Sequence, residues 1–581
     1  MARLANKIAL ITGGASVPAR LLSRRTLFAV IVSSILVFPV SGTNAGEADT
    51  ASDNWQSYFG NDKAWSYSSL DQINRENVGK LLPAWAFSAG ASQDGLSATP
   101  LVIDGVLFLP TTQNSVIALD AGTGRLVWTY TDKPSEGRSG PRKPIGLAAG
   151  FGLIFIASAD HHLIALDQKT GRETWNVEIS DPRQCGCGPG AAPLLVKDKI
   201  VLGVSSLDTG HRGYLDAFDA RTGKLVWRFW TIPGPGEAGH DTWPEELWRL
   251  GTSGTWLVGS YDPTLNLVYW GVGNPGPMIG GDYPGSKLYS DSVVALDADT
   301  GKLKWYFQEI PNDKLDYDST LEAVLFDDTL DGKPRKLLVQ PNKGGFAYVL
   351  DRATGAFIRG YPVADTINWT KGLDNNGLPL APRLSLSPGV EKLVCPGVFG
   401  ARAAGHSTYS PHTRWWYNTS YETCTFQTAV PAKPPKEGFT FTASSYRDTR
   451  VPPTAHPLIA AFDPITGDRK WTFHTNSANV SSLLSTAGDL VFGGDLFGNA
   501  WALDATSGKK LWTFNIGTGI SSAPISFAVN GRQYIAVSGG LSYVASALAR
   551  EILTDEEKTK LPPVGSVLLV FALPQTSSRA P

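Results

Sequence analysis

An eleven-residue motif recurs along most of this 581-residue chain and constrains its fold more than any other feature. The motif reads Ala, an apolar residue, Asp, two variable residues, Thr, Gly, three variable residues and Trp. It occurs at 118–128, 165–175, 217–227, 295–305, 461–471 and, with Ser507 in place of Thr, 502–512. A weaker copy without the final Trp occupies 349–358. Self-similarity of this kind predicts an architecture of repeated structural units.

Each copy of the motif predicts a β-hairpin. The apolar residues before the Asp form one strand, the Gly supplies the positive φ of a tight turn, and the Trp lies on the return strand. The Asp and Thr side chains can bond amide groups of the turn, which keeps the same turn geometry in every copy.

The spacing of these hairpins predicts an all-β fold, an eight-bladed β-propeller of four-stranded blades. Most intervals between motif Asp residues are 41 to 54 residues long, and a propeller blade takes roughly 40–50 residues. Two longer intervals, of 78 and 112 residues, hold loop insertions or a blade that lacks the motif. Seven copies and one hidden blade would make eight, and a strand within 565–573 is expected to close the ring against the N-terminal blade.

The composition excludes two classes of partner. The net charge is −2 and 42% of the residues are hydrophobic, which is ordinary for a soluble protein and shows no bias towards nucleic acid or an anionic membrane surface. No linker or change of composition divides the chain after its N-terminal segment. We therefore expect residues 46–581 to form a single propeller domain.

The N-terminal segment has the features of a secretory signal. Arg20, Arg24 and Arg25 precede an apolar run at 27–40, and small residues follow up to Ala45. This order predicts a signal peptide within 1–45, preceded by an upstream extension from a misplaced start, and export to the periplasm. The apolar run of 14 residues is short for a membrane-spanning helix, so no stable membrane span is expected.

The four cysteines suit an oxidising compartment. Cys185 and Cys187 are separated by one glycine, and the sequence leaves open whether they form a bridge or remain free thiols. No Cys-x-x-Cys-His motif is present, so no covalently attached haem is expected.

Several segments make the chain similar to the pyrroloquinoline quinone (PQQ)-dependent alcohol dehydrogenases, the quinoprotein family that includes methanol dehydrogenase. The resemblance covers about residues 53–573. Besides the repeat, it rests on SSLDQINRENVGKLLPAW at 68–85, TWLVGSYDPTLNLVYWGVGNPGP at 255–277, DYD at 316–318, NKGGFAYVLDRATG at 342–355, STAGDLVFGGD at 485–495 and GRQYIAVSGG at 531–540.

The resemblance implies roles for particular residues. Two match residues that contact the cofactor: Trp256, which would stack on its ring system, and Lys343, which would contact its quinone oxygens. Four match metal ligands: Asp208, in place of a family Glu, Asn274, Asp316, and Asp318, the extra acid of lanthanide-using members. Asp316 also matches the general base. Cys395 and Cys424 match a family disulfide.

These residue types suit the chemistry that the resemblance implies. Carboxylate and amide oxygens are preferred ligands of hard cations such as Ca²⁺, and a trivalent lanthanide would favour the further charge of Asp318. The metal would polarise the quinone carbonyl, while Asp316 takes the hydroxyl proton of an alcohol and hydride passes to PQQ. The resemblance also implies a cytochrome c as electron acceptor.

The chain departs from the family pattern around the cofactor. Adjacent cysteines, an Arg, a Glu, an Asn-Trp pair and a Thr are replaced at or near Ser139–Gly140, Ile145, Ser97, Ala403–Ala404 and Gly190 respectively. Small residues at these positions predict a roomier pocket that admits an alcohol larger than methanol, bulky or secondary. Two alternatives stay open: a non-catalytic periplasmic propeller that serves as a scaffold, and a quinoprotein that acts on sugars or polyols.

Overall fold

The structure, a computed structural model, describes residues 53–575 apart from 91–94, 112–114, 133–145, 181–186, 206–207, 404 and 434. Backbone contacts divide the chain into Met1–Ala48 and Asp49–Pro581. The predicted signal peptide lies outside the described residues and stays a prediction.

The described residues form 37 strands. In chain order they are β1 (Tyr67–Ser68), β2 (Leu82–Ser88), β3 (Leu101–Ile103), β4 (Val106–Pro110), β5 (Ser115–Asp120), β6 (Leu126–Thr131), β7 (Ala148–Gly150), β8 (Leu153–Ala157), β9 (His162–Asp167), β10 (Glu173–Glu178), β11 (Gly188–Pro189), β12 (Leu194–Val196), β13 (Lys199–Ser205), β14 (Tyr214–Asp219), β15 (Leu225–Trp230), β16 (Ser260–Asp262), β17 (Leu267–Val272), β18 (Ser292–Asp297) and β19 (Leu303–Gln308). They continue as β20 (Val324–Leu330), β21 (Lys333–Pro341), β22 (Phe346–Asp351), β23 (Phe357–Pro362), β24 (Glu391–Val394), β25 (Thr408–Ser410), β26 (Trp415–Ser420), β27 (Cys424–Ala429), β28 (Ser444–Arg450), β29 (Leu458–Phe462), β30 (Arg469–His474), β31 (Leu484–Thr486), β32 (Leu490–Gly494), β33 (Asn499–Asp504), β34 (Lys510–Asn515), β35 (Ile525–Val529), β36 (Arg532–Gly539) and β37 (Val567–Ala572).

Within the described part of the chain these strands form eight sheets of four or five strands and one sheet of three. Most of the larger sheets are antiparallel meanders of consecutive strands, such as β3-β4-β5-β6 and β16-β17-β18-β19. The fold is therefore the all-β propeller that the repeat predicts. The number of larger sheets is consistent with eight blades.

Every copy of the motif forms the predicted hairpin. In the first copy, the Asp120 carboxylate accepts hydrogen bonds from the amide and the hydroxyl of Thr123, at 2.9 and 2.8 Å. Gly124 follows with a φ of 73°, a left-handed conformation that favours glycine. The same side-chain bonds recur at the other motif Asp residues.

The motif tryptophans join neighbouring sheets. Trp128 donates its indole N–H to the carbonyl of Gln168 in the next sheet, at 3.2 Å. Its ring lies against Gly171, where a Cβ would come within 2.5 Å of it. Equivalent bonds of 2.9–3.2 Å link Trp85 to Ala121, Trp175 to Ala220, Trp227 to Ala298, Trp305 to Arg352 and Trp471 to Ala505.

Two steps of this chain of contacts use other residues. The weak motif copy lacks its Trp, and Tyr361 donates to the carbonyl of Pro464 and packs against Gly467 instead. Trp512 packs edge-on against Phe571, with ring centroids 5.0 Å apart. Phe571 belongs to β37, which pairs with β2 from the other end of the chain. The predicted closure by a strand within 565–573 is thus confirmed.

The position predicted for the hidden blade is wrong. The interval of 112 residues contains an insertion, the three-stranded sheet β24-β27-β28, besides two strands of the sheet β25-β26-β29-β30. The sheet without the motif is β2-β37-β36-β35. It escapes a search for the repeat because the two ends of the chain build it together.

Helices are few. Helix α1 (Tyr543–Ile552) begins at Ser542, whose hydroxyl accepts a hydrogen bond from the amide of Ala545, and α2 (Asp555–Thr559) begins with a capping box of Thr554 and Glu557. Two short 3₁₀ turns occupy Val78–Lys80 and His240–Thr242. None of the helices in the described ranges is long and apolar enough to cross a membrane.

The contact between Trp227 and the next sheet should dominate local stability. We expect Trp227→Ala to lower the free energy of unfolding by about 3–5 kcal/mol, because it leaves a cavity between two sheets. Val226→Ala, an exposed neighbour on the same strand, should change it by less than about 0.5 kcal/mol. Denaturant titrations would check this, and equal stability of the two variants would contradict the assigned role of the tryptophan.

Candidate active site

The structure brings together all six site residues that the sequence singles out. They lie at or near the ends of strands from successive sheets: Asp208 after β13, Trp256 before β16, Asn274 after β17, Asp316 and Asp318 before β20, and Lys343 after β21. These residues are hundreds of positions apart at the extremes, so the sheet-to-sheet packing is what makes them neighbours.

Asn274 joins the two sides of the site. Its side-chain amide donates to Asp208 Oδ1 at 3.1 Å, and its backbone amide donates to Asp318 Oδ1 at 3.0 Å. Gly273, the preceding residue, passes so close that a Cβ there would lie 2.3 Å from Asp318 Oδ1. Only glycine at 273 therefore leaves room for the Asp318 carboxylate.

Lys343 lies between the two carboxylates. Its ammonium is 2.8 Å from Asp316 Oδ2 and 3.1 Å from Asp318 Oδ2, and its backbone amide donates to the carbonyl of Asp318. All three side chains are buried, with Asp316 7% exposed. A buried charge needs a partner, and this ammonium neutralises part of the negative charge that the two aspartates bring.

Trp256 lies beside Asp318 and is half-buried. Its indole N–H donates to Asp318 Oδ1 at 3.2 Å. An aromatic ring that is partly open next to a cation-binding group is suited to stacking on a flat, electron-poor molecule.

The backbone is strained at two of the candidate ligands. Asp208 has a φ of 58° and Asp316 a φ of 66°, in the left-handed region that non-glycine residues rarely adopt. Such conformations cost free energy and tend to occur at functional sites.

Burial and neighbouring charge shift the pKa values in the site. Burial, followed by the negative charges of Asp318 and Asp208, raises the pKa of Asp316 well above its ordinary value, and Lys343 offsets part of this. Burial would lower the pKa of Lys343, but attraction to Asp316 and Asp318 outweighs it and raises that pKa. The ammonium therefore keeps its proton, while Asp316 readily accepts one.

The donor set fits a hard cation. Asp208, Asn274, Asp316 and Asp318 supply carboxylate and amide oxygens, the ligands that Ca²⁺ and lanthanides prefer. No group of three or more His, Cys, Asp or Glu side chains is arranged as a metal cluster within the described ranges. The reason is visible in the geometry, since one candidate ligand is an Asn and the Lys343 ammonium lies between two of the others.

Buried charges that the sequence reasoning missed lie near this site. Four residues after Asp318, Glu322 pairs with Arg402 at 2.8 Å, and both are almost fully buried. Ser407 donates its amide and its hydroxyl to Glu322. Burial would raise the pKa of Glu322, but Arg402 and His406 lower it below its ordinary value. No repeat or motif marks this pair in the sequence.

Asp291 is a second residue that no sequence signal identifies. It is fully buried, and neither of its carboxyl oxygens has a hydrogen-bond partner in the described part of the chain. Burial, then repulsion from Asp313 and Asp318, raises its pKa well above the ordinary value. This environment favours the neutral carboxyl.

The cysteines resolve in part. Cys395 and Cys424 form the disulfide that the resemblance implies. Cys187 is also disulfide-bonded, which favours the bonded alternative, while Cys185 lies outside the described residues.

The altered rim is only partly visible. Ser97, Gly190 and Ala403 are described, and all three are at least half-buried. Ser139–Gly140, Ile145 and Ala404 lie outside the described residues, so the roomier pocket stays a prediction. A broad surface groove of about 1020 Å³ beside β23 contains none of the six site residues.

Comparison with known proteins places the fold and the site in one context. A family model described as "Glucose/ethanol/alcohol dehydrogenase, beta-propeller domain" matches residues 55–365, and one described as "Outer membrane protein assembly factor BamB" matches 455–554. The quinoprotein alcohol dehydrogenase PedH of Pseudomonas putida is 33% identical over 96% of this chain and 99% of its own length.

Two further proteins are similar over most of the chain. Methanol dehydrogenase [cytochrome c] subunit 1 of Methylorubrum extorquens is 32% identical over 85% of each chain. The solved structure of a europium-containing methanol dehydrogenase matches with a TM-score of 0.82 and 31% identity, and the match covers 90% of this chain and 98% of that one.

Removing the ammonium should make the site depend on a metal. We expect Lys343→Met to lower the thermal midpoint of chelator-treated protein, because two buried carboxylates lose their partner, a change that typically costs about 3–5 kcal/mol. Ca²⁺ or La³⁺ should then raise the midpoint more in the variant than in the wild type. Lys314→Met, which removes a surface ion pair with Asp282, is the matched control. Equal metal-induced shifts in all three proteins would contradict this account.

Proposed function

Because the chain belongs to the family of PQQ-dependent alcohol dehydrogenases, we propose that it oxidises an alcohol to an aldehyde or ketone, using PQQ and one bound Ca²⁺ or lanthanide ion. The observation that carries this proposal is the joining of Asp208, Asn274, Asp316 and Asp318 around one buried point, with Trp256 beside them.

The residues divide into three roles. Asp208, Asn274, Asp316 and Asp318 hold the metal through oxygen atoms. Trp256 holds the flat cofactor by stacking and keeps water from one of its faces. Lys343 holds a fixed positive charge where the quinone oxygens would lie, and its raised pKa keeps that charge in place.

Asp316 is the general base. Its carboxylate takes the proton of the substrate hydroxyl as the C–O bond gains double-bond character. Metal-bound PQQ supplies the electron sink, taking the hydride from the carbinol carbon. The substrate thus loses one proton and one hydride, two electrons in all. The pKa of Asp316, raised by burial and by its acidic neighbours, suits a group that must accept a proton.

The substrate side of the site favours an alcohol with a sizeable apolar group. Tyr446 on β28 is 47% exposed, and Tyr543 at the start of α1 is 66% exposed. Burial raises the pKa of Tyr446, and the charges of Glu551 and Asp316 add to this, so its phenol lies within electrostatic reach of the proposed base. Aromatic surface at this point suits a hydrocarbon group better than a sugar or polyol.

A scaffold without catalysis is the alternative. It gives no reason for a protein to bury Asp316, Asp318 and Lys343 together, since buried ion pairs often stabilise a fold less than apolar side chains do. We further propose that the protein works in the periplasm, carries no covalent haem and passes its electrons to a cytochrome c.

The direct test is alcohol oxidation with an artificial dye as acceptor, after adding PQQ with Ca²⁺ or La³⁺. Turnover should require both the quinone and a metal. We expect Asp316→Asn to lower kcat by about 10²–10⁴-fold, because the amide cannot accept the hydroxyl proton. Asp282→Asn, a substitution on the surface, should leave kcat unchanged. Absence of quinone binding and turnover with either metal would favour the scaffold alternative.

Asp318 should decide the choice of metal. Its negative charge matters more to a trivalent ion than to Ca²⁺, so we expect Asp318→Asn to weaken La³⁺ affinity about tenfold more than Ca²⁺ affinity. Titrating the protein with each ion in the presence of PQQ measures the two affinities. Equal losses for the two ions would show that Asp318 does not discriminate between them.

A further inference from the structure

One inserted segment contacts all of the loops that carry the candidate metal ligands. It comprises residues 437–443, between β27 and β28 of the three-stranded sheet β24-β27-β28. The segment places no side chain among the six site residues described above. Its connections to them are made by backbone hydrogen bonds.

The first connection is to the loop of Asp208. The amide of Phe441 donates to the carbonyl of Asp208 itself, at 3.0 Å. Two residues on, the amide of Gly210 donates to the carbonyl of Phe439 at 3.0 Å, and the amide of Gly438 donates to the carbonyl of Gly210 at 3.1 Å. Asp208, with its left-handed backbone, is therefore held from outside its own sheet.

The second connection is to the loop that follows Asn274. The amide of Met278 donates to the carbonyl of Phe441 at 2.8 Å, and the amide of Ala443 donates to the carbonyl of Ile279 at 2.9 Å. Ile279 in turn forms a β-bridge with Leu315, the residue directly before Asp316. The segment thus reaches the loop of the proposed base through one intermediate residue.

Phe441 anchors the segment. Its side chain is 2% exposed and packs in an apolar cluster with Ile232, Trp243, Leu247 and Trp248. Gly276, two residues after Asn274, runs so close that a Cβ there would lie 2.7 Å from the phenyl ring. The neighbouring Phe439 is different, because its side chain is 57% exposed.

We propose that segment 437–443, anchored by Phe441, is a clamp that holds the Asp208, Asn274 and Asp316 loops in register and thereby sets the affinity of the site for its cation. Phe441 is a positioning residue, since it touches backbone and apolar side chains and no reacting group. The assignment of a cation rests on the proposed function above.

The physical basis is the cost of assembling ligands from separate loops. If the loops are free to move, a cation must order them when it binds, and that entropy reduces its affinity. Groups behind the ligands that fix their orientation typically change metal affinity by about 10–100-fold when they are removed. Coupling is reciprocal, so a bound cation must also stabilise the clamp.

The first experiment titrates chelator-treated full-length protein with Tb³⁺ and follows luminescence excited through tryptophan. Trp256 lies beside Asp318, so it reports on an ion bound there. We expect Phe441→Ala to weaken Tb³⁺ binding about 10–100-fold. Phe441→Leu, which keeps most of the buried volume, should bind within about threefold of wild type, as should Phe439→Ala. Equal affinity of a folded Phe441→Ala variant and the wild type would overturn the proposal.

The second experiment needs no variant, and so decides the matter even if Phe441→Ala fails to fold. Hydrogen exchange of the wild-type amides is measured with and without saturating La³⁺. The clamp predicts that exchange within 437–443 slows about tenfold or more on binding. Unchanged exchange there, alongside slowed exchange at 316–318, would overturn the clamp while leaving the metal site intact. If wild-type protein binds neither Tb³⁺ nor La³⁺, the proposed metal-dependent function fails with it.

Discussion

The contact of one sheet's tryptophan with the next sheet's turn is what the rest of this structure depends on. In each case an indole lies on the glycine of the following motif and donates its N–H to a backbone carbonyl of that turn. The contact combines apolar burial with one directional bond, so it sets both the distance and the orientation of adjacent sheets. Where the tryptophan is missing, Tyr361 makes the same kind of contact. The loops that carry the site inherit their positions from these repeated contacts.

The site is an electrostatic consequence of that assembly. Sheet packing forces Asp316 and Asp318 into a buried space, where two unpaired carboxylates would be costly. Lys343 arrives from the following sheet with its ammonium between them. A metal ion and this ammonium therefore compete for the same negative charge, and the balance between them links cation binding to the position of Lys343.

The insertion gives the site a support that the repeat does not supply. Segment 437–443 reaches across from a separate sheet and hydrogen-bonds to the loops of Asp208 and Asn274. The disulfide of Cys395 and Cys424 lies at the base of the same sheet, where Cys424 begins β27. Regular blades thus bring the ligands near one another, and an irregular element outside the repeat adjusts them. Further along, the same insertion presents Tyr446, so support of the metal and contact with the substrate belong to one element.

The sequence by itself determined the hairpins, their turn bonds, the propeller class and the closing strand, because each depends on residues close together in the chain or on a repeat. Resemblance to a family added the six site residues, which do lie together, and one disulfide. Only the tertiary structure decided which strands form the sheet without the motif, that Tyr361 replaces a tryptophan, and that Glu322 pairs with Arg402. It also placed Lys343 between two carboxylates. These features join residues that are distant in the chain, and such contacts leave no local pattern because they arise only when the sheets pack.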